Sequence, residues 1–290
     1  MYVFKAAVVG AGTMGGEIAQ VIASSGVDVV LKDVEQKFVD TGLEKARQVT
    51  EGQLGGLVKK EKITQEQADA QLSEITGRIT GTTGYEGFGD VDFVVEAVPE
   101  RMQIKQAVFA ELDTVTPGHA ILASNTSSLS ISEMAEATGR PHKVVGFHFF
   151  YPASMMRLIE VIEGQETSED TLQATANFAQ QIRKQPIRCG EDPGFVVNRI
   201  LNSAVSEIWR TTEEEGLDIK EVDKTVQESK AAPMGPFYLT DLLGLDTVYH
   251  VAAHLKDSYG DRFYVSRKME ELVEAGDLGQ KTGKGFYEHG

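Results

Sequence analysis

Through roughly the first two thirds of the chain, short apolar runs alternate with longer stretches of helical period. Lys5–Val9, Asp28–Asp33, Arg78–Thr80, Val91–Glu96, Ala120–Ala123, Val144–Phe150 and Arg157–Ile162 read as strands, and Lys184–Cys189 as a short strand or connector. Helical patterns fill the intervals after Gly15, over about 101–113 and over 168–183. Residues 35–76 are charged and predict a helical hairpin leaving the sheet; Gly52, Gly55 and Gly56 interrupt its pattern, and Thr64 suits a new helix start. From Phe195 onward strand signals nearly vanish, and helices are expected over 195–215, 219–229, 238–258 and 266–275. Gly190-Glu191-Asp192-Pro193-Gly194 marks the boundary, giving domains 1–190 and 191–290. Strands alternating with helices predict a doubly wound, parallel sheet, followed here by an all-α unit.

The first strand runs into Gly10-Ala11-Gly12-Thr13-Met14-Gly15, the G-x-G-x-x-G spacing. Gly10 allows the tight turn, Gly12 lets a pyrophosphate approach the backbone, and Gly15 lets helix and strand pack closely. The free N–H groups and positive dipole end of the helix favour phosphate. A glycine-rich turn alone is a weak signal. Asp33, closing the second strand, strengthens it, because an acid there grips the ribose 2′-hydroxyl and repels a 2′-phosphate. The site is read as a Rossmann-type NAD site, with the neighbouring Lys32 as the one feature arguing the other way.

In such sheets ligands sit beyond the carboxyl ends of the strands, where Glu96, Glu100 and the run Ser124–Ser128 fall. Any one of those hydroxyls is also a plausible helix cap. His148 lies inside an apolar strand, and the period of the next strand puts Glu160 on one face with Leu158 and Ile162. A turn at Tyr151-Pro152 brings the two strands side by side, so that each buried polar group satisfies the other. Such a pair is either an oriented acid/base or a structural core pair. Lys59, Lys60 and Lys62 at the hairpin tip read as a solvated helix end or a phosphate clamp. Asn198, in an apolar helical run, is hydrogen-bonded in the core or points into a site.

Composition narrows the classes. At 290 residues with 41% hydrophobic and 25% charged positions, the chain is an ordinary globular protein of about two domains. Its 28 basic and 44 acidic side chains give −16, against a nucleic-acid or anionic-membrane binder. The single Cys189 excludes an internal disulfide framework. No apolar run reaches about 18 residues, and the first strand begins almost at Met1, so neither a membrane span nor a leader is expected. A cytoplasmic enzyme is the expectation.

Taken together, Val9–Gly15, Val95-Glu96-Ala97-Val98-Pro99-Glu100, Ser124–Leu129, Gly146-Phe147-His148-Phe149-Phe150, Leu158–Ile162, Asp192–Arg199, Pro233–Pro236 and Lys281–Tyr287 resemble the 3-hydroxyacyl-CoA dehydrogenase family over nearly the whole chain. The resemblance implies NAD-dependent, reversible oxidation of an (S)-3-hydroxyacyl-CoA, of short chain such as 3-hydroxybutyryl-CoA. His148 is then the general base and Glu160 its orienting carboxylate. Ser127 and Asn198 hydrogen-bond the reacting oxygen or thioester region. Glu100, Lys105 and Asn125 match cofactor positions, Lys59 and Lys60 contact CoA, and the helical unit forms a homodimer. One departure is Tyr151, where the family commonly has Asn before Pro. A phenol donates one hydrogen bond and is much larger than an amide, which alters how substrate or histidine is placed.

Two other readings remain at this level. A β-hydroxyacid dehydrogenase with a lysine acid/base shares the glycine-rich start and helical second domain. A non-enzymatic NAD-binding protein on the same fold would need none of Ser127, His148, Glu160 and Asn198.

Overall fold

The computed structural model describes residues 2–290, which divide into two compact units, one reaching to Glu191 and the other Asp192–Gly290. The first unit contains strands β1 (Lys5–Val9), β2 (Asp28–Lys32), β3 (Ile79–Thr82), β4 (Phe93–Glu96), β5 (Ile121–Ser124), β6 (Val144–Phe149), β7 (Leu158–Glu163) and β8 (Gln185–Gly190). Among the described residues these form one sheet in the order β3-β2-β1-β4-β5-β6-β7-β8. Every pairing is parallel except β6 with β7. The parallel expectation is therefore corrected at that pair. The connection through Tyr151 and Pro152 is too short for a parallel crossover, so the chain returns as a hairpin.

Helices α1 (Thr13–Ala23), α2 (Gln36–Lys59), α3 (Gln65–Gly77), α4 (Met102–Val115), α5 (Ile131–Ala135) and α6 (Glu169–Gln181) complete this unit. Strand residues such as Val8, Val29, Leu31, Val95 and Val161 are fully or nearly fully buried with Ile18, Ile22 and Phe178 from the helices. Phe93 packs on Phe178 and Phe147 with ring centroids 4.6 and 5.3 Å apart. The order of strands reverses at β1, whose neighbours β2 and β4 belong to opposite directions of winding. This is the topological switch point at which doubly wound sheets bind ligands.

The helical hairpin forms from α2 and α3, and Thr64 caps α3 in a reciprocal capping box with Gln67. Gly52, Gly55 and Gly56 do not interrupt α2, contrary to expectation. A helical glycine costs only about 1 kcal/mol, and the buried Val39, Ala46 and Leu54 tie the helix down.

In the second unit α7 (Val197–Glu215), α8 (Ile219–Glu228), α9 (Pro236–Leu243), α10 (Leu245–Tyr259) and α11 (Arg267–Ala275) surround Trp209, Phe237, Leu245 and Met269. The single helix expected over 238–258 is two helices. Gly244, at φ +94°, breaks the ladder, and the apolar pattern resumes at the buried Leu245. Two buried acids organise the tail. Asp241 accepts the N–H groups of Phe286 and Tyr287, both at 2.8 Å, and pairs with His289 Nε2 at 2.7 Å. Asp223 accepts N–H groups at the start of α9 and the Tyr287 hydroxyl. Gly285 is required here, because a Cβ would lie 2.4 Å from Asp241 Oδ1.

Candidate active site

The carboxyl ends of β1, β4, β5 and β6 share one edge of the sheet, because these strands run parallel. The predicted first-unit residues Gly10–Gly15, Glu100, Asn125, Ser127 and His148 all lie on or just beyond those ends.

At β1 the glycine turn has the space that a dinucleotide requires. Gly10 adopts φ +99°, and a Cβ there would lie 2.5 Å from Ala97 O. A Cβ on Gly15 would strike Gly10 O at 1.7 Å, so this glycine sets the approach of α1 to the turn. A Cβ on Gly12 meets nothing within 4 Å. The start of α1, Thr13 and Met14, has no side-chain cap and no acid in its first turn, leaving its N–H groups for an anion. Asp33 is half-buried; Oδ2 accepts from Ala11 N–H at 2.7 Å and Oδ1 from Val34 N–H at 2.6 Å. Each carboxylate oxygen has a second lone pair, so a ribose diol remains within its capacity. Lys32 is buried, with its ammonium 4.6 Å from the centre of the Tyr85 ring. The ammonium therefore lies against a π face. The donor set fits NAD.

Beyond β4 and β5 the side chains form a saturated network. Glu96 and Lys105 are fully or almost fully buried, with Lys105 Nζ 2.9 and 3.0 Å from the two Glu96 oxygens. Glu96 also accepts from the Ser124 hydroxyl and Val98 N–H, both at 2.6 Å. The strand register sets Glu96 opposite Ser124. Glu100 lies 3.1 Å from Lys105 and accepts from the Thr126 hydroxyl at 2.5 Å, Ser127 N–H at 2.9 Å and the Ser127 hydroxyl at 3.3 Å. Burial raises the Glu100 pKa, but Lys105, Thr126 and Ser127 outweigh it and hold the carboxyl below its usual value. Asn125 accepts Phe149 N–H at 2.8 Å, bridging β5 to the end of β6.

The β6–β7 ladder sets His148 directly opposite Glu160. His148 Nδ1 and Glu160 Oε2 are 2.7 Å apart, with His148 6% and Glu160 0% exposed. An ionised carboxylate only accepts, so Nδ1 carries the proton and Nε2 is the basic nitrogen. The Phe150 ring lies 4.6 Å from the imidazole, centre to centre.

Lys59 and Lys60 are exposed at the end of α2, and Tyr151 is exposed after β6. Asn198 belongs to the second unit, in the first turn of α7, where its carbonyl accepts from Asn202 Nδ2 at 2.9 Å. Sequence reasoning passed over Ser124 and Thr126 as individual residues, and Glu17 entirely. A charged residue within the apolar face of α1 was the available signal for Glu17.

A dinucleotide turn and an oriented histidine–carboxylate pair on one sheet edge define a nicotinamide-dependent oxidoreductase architecture. Residues 5–192 match the family model "3-hydroxyacyl-CoA dehydrogenase, NAD binding domain", and residues 194–289 match "3-hydroxyacyl-CoA dehydrogenase, C-terminal domain". The chain belongs to the 3-hydroxyacyl-CoA dehydrogenase family. It is 41% identical over 286 residues to a probable 3-hydroxybutyryl-CoA dehydrogenase of Deinococcus radiodurans, covering 98% of this chain and 100% of that one. It is 42% identical over 285 residues to the fatty acid oxidation complex subunit alpha of Pseudomonas savastanoi, covering 98% of this chain but only 38% of that protein's length. The crystal structure of (S)-3-hydroxybutyryl-CoA dehydrogenase from Ralstonia eutropha superposes with a TM-score of 0.90 at 36% identity, both chains being fully covered.

Proposed function

We propose that the protein catalyses the reversible, NAD-dependent oxidation of (S)-3-hydroxyacyl-CoA to 3-ketoacyl-CoA, acting on short chains such as 3-hydroxybutyryl-CoA. The observation that carries this reading is the His148–Glu160 pair at 2.7 Å, on the sheet edge that also holds the Gly10–Gly15 turn. NAD, when bound, supplies the two-electron acceptor for the hydride leaving C3. His148 Nε2 takes the C3 hydroxyl proton, and the positive charge that develops on the ring is stabilised by Glu160 through Nδ1–H. In the reverse direction the imidazolium returns that proton to the carbonyl oxygen. The Ser127 hydroxyl, whose bond to Glu100 is long at 3.3 Å while its N–H holds the same carboxylate at 2.9 Å, turns to donate its one proton to the reacting oxygen; Asn198 is assigned to the same oxygen or the thioester. Gly10, Gly12, Thr13, Met14, Gly15, Asp33 and Asn125 serve the cofactor. Lys105, enclosed by Glu96 and Glu100, acts on it by fixing the loop of Glu100. Lys59 and Lys60, exposed and cationic, meet the CoA phosphates.

The reading extends to a cytoplasmic homodimer joined through the second unit. The lone cysteine fits a reducing compartment. No helix among the described residues is long and apolar enough to cross a membrane.

The test is NADH oxidation with acetoacetyl-CoA, run beside NADPH and beside free 3-keto acids. Fast turnover restricted to NADH and the thioester is expected. Tight NADH binding without turnover on any acyl-CoA overturns the reading.

A further inference from the structure

Residues 152–156 lie in the connection from the strand of His148 to that of Glu160, and several polar ties hold them. Met155 and Met156 are exposed and only Ala153 is fully buried. The N–H groups of Met155 and Met156 both donate to Pro152 O at 3.0 Å. Lys184, almost buried, donates to the carbonyls of Ala153 and Met156, the latter at 2.7 Å. On the other side, Ser154 donates its N–H and hydroxyl to Glu17 Oε2 at 3.3 and 3.5 Å, and its carbonyl accepts from Gln53 Nε2 at 3.5 Å.

Glu17 stands on α1, in the turn after Gly12–Gly15, and is 2% exposed. Its Oε1 faces Lys45 of α2 at 3.2 Å. Glycines permit that approach: a Cβ on Gly16 would lie 2.7 Å from Gly42 O, and one on Gly42 2.7 Å from Ala11 O. A buried carboxylate on an apolar helix face is unfavourable unless its partners compensate it. Its partners here are Lys45 on α2, the ammonium of Lys184, and the turn of the hairpin that carries both His148 and Glu160. The β6–β7 ladder fixes those two residues against each other. It does not fix the turn of the hairpin against the dinucleotide helix, and Glu17 does.

We propose that Glu17 is a positioning residue: it ties the turn of the His148–Glu160 hairpin to the dinucleotide helix and so sets where the basic nitrogen stands relative to the bound cofactor. The inference rests on the proposed dehydrogenase reading. A displacement of about 1 Å at reacting groups costs up to about a hundredfold in rate. Glu17→Gln and the shorter Glu17→Asp, which withdraws the carboxylate from Ser154, test it in the full chain. Amide hydrogen exchange over 151–157 in the protein without cofactor is expected to quicken about tenfold in Glu17→Asp and less in Glu17→Gln, whose amide oxygen still accepts from Ser154. kcat with acetoacetyl-CoA and NADH is expected to fall about tenfold, while KM for the thioester and the NADH dissociation constant hold. Unchanged exchange and kcat in folded Glu17→Asp overturn the proposal. So does a fall in thermal midpoint with wild-type kcat per folded molecule, which is a purely structural role, or a rise confined to the NADH dissociation constant. A wild-type protein that binds NADH and reduces no acyl-CoA brings down the underlying reading, and this inference with it.

Discussion

Two fully buried carboxylates on one sheet, Glu96 and Glu160, are used in opposite ways. Glu96 is saturated: an ammonium lies on both oxygens, with a hydroxyl and a backbone N–H besides, and its partner Lys105 is itself enclosed by Glu96 and Glu100. Glu160 holds an imidazole, whose second nitrogen is a base in its own right. A lysine ammonium closes a network, whereas a histidine passes the influence of the carboxylate on to whatever meets Nε2. The same burial therefore yields a rigid support in one place and a reactive group in the other.

The largest difference between the two pairs is expected on removing the base. His148→Gln should lower kcat by about 10²–10⁴-fold in both directions, with NADH affinity and thermal midpoint close to wild type. Loss of NADH binding in a well-folded variant would count against the assigned role. Lys105→Met should fall first on stability. It leaves Glu96 buried without its cation, which costs about 3–5 kcal/mol of stability, read by urea unfolding. A wild-type midpoint for that variant would mean the Glu96 network is not structural.

A subtler change falls on Glu160→Gln. The amide keeps an acceptor for Nδ1–H and removes the charge that stabilises the imidazolium. kcat should fall by about ten- to a hundredfold. The dependence on pH should also alter. In the wild type, oxidation needs neutral His148 and reduction prefers the imidazolium, so the two directions should trend oppositely with pH. Removing the carboxylate takes away the charge that favours the imidazolium formed in the proton step, so the balance between the two directions should change. Profiles that stay identical in variant and wild type would remove Glu160 from the proton step.

How much of this was legible in the sequence follows from which contacts are local. The His148–Glu160 pair was readable because one short turn forces the register, and the close packing at Gly15 was readable because its contact, Gly10 O, lies within the same strand–turn–helix, whereas the crowding of Gly10 by Ala97 comes from a distant segment. The Glu96–Ser124 and Glu17–Ser154 contacts join elements 28 and 137 residues apart, and no period or spacing encodes them. The break at Gly244 was hidden by apolar periodicity that continues on both sides. The glycines of α2 misled in the other direction, since tertiary burial of Val39, Ala46 and Leu54 overrides their local cost.

The smallest expected effect sharpens the contrast from the acid side. Glu100 is the exposed edge of the saturated network, 37% accessible at its side chain. Burial raises its pKa, but Lys105, Thr126 and the Ser127 N–H overcome that and leave it depressed. A carboxyl whose folded pKa lies below its unfolded value of about 4.3 stabilises the fold fully above the unfolded pKa. That contribution is lost as pH falls through the folded one. Glu100→Gln removes it, so between about pH 5 and about pH 3 wild type should lose more stability than the variant. Solvent screening at so exposed a group limits the difference to less than about 1 kcal/mol. Urea midpoints measured across that interval check the sign. Parallel curves would mean that Lys105, Thr126 and Ser127 do not favour the ionised form, and that the loop of Ser127 is held by the neutral contacts of Ser124 and Thr126 instead.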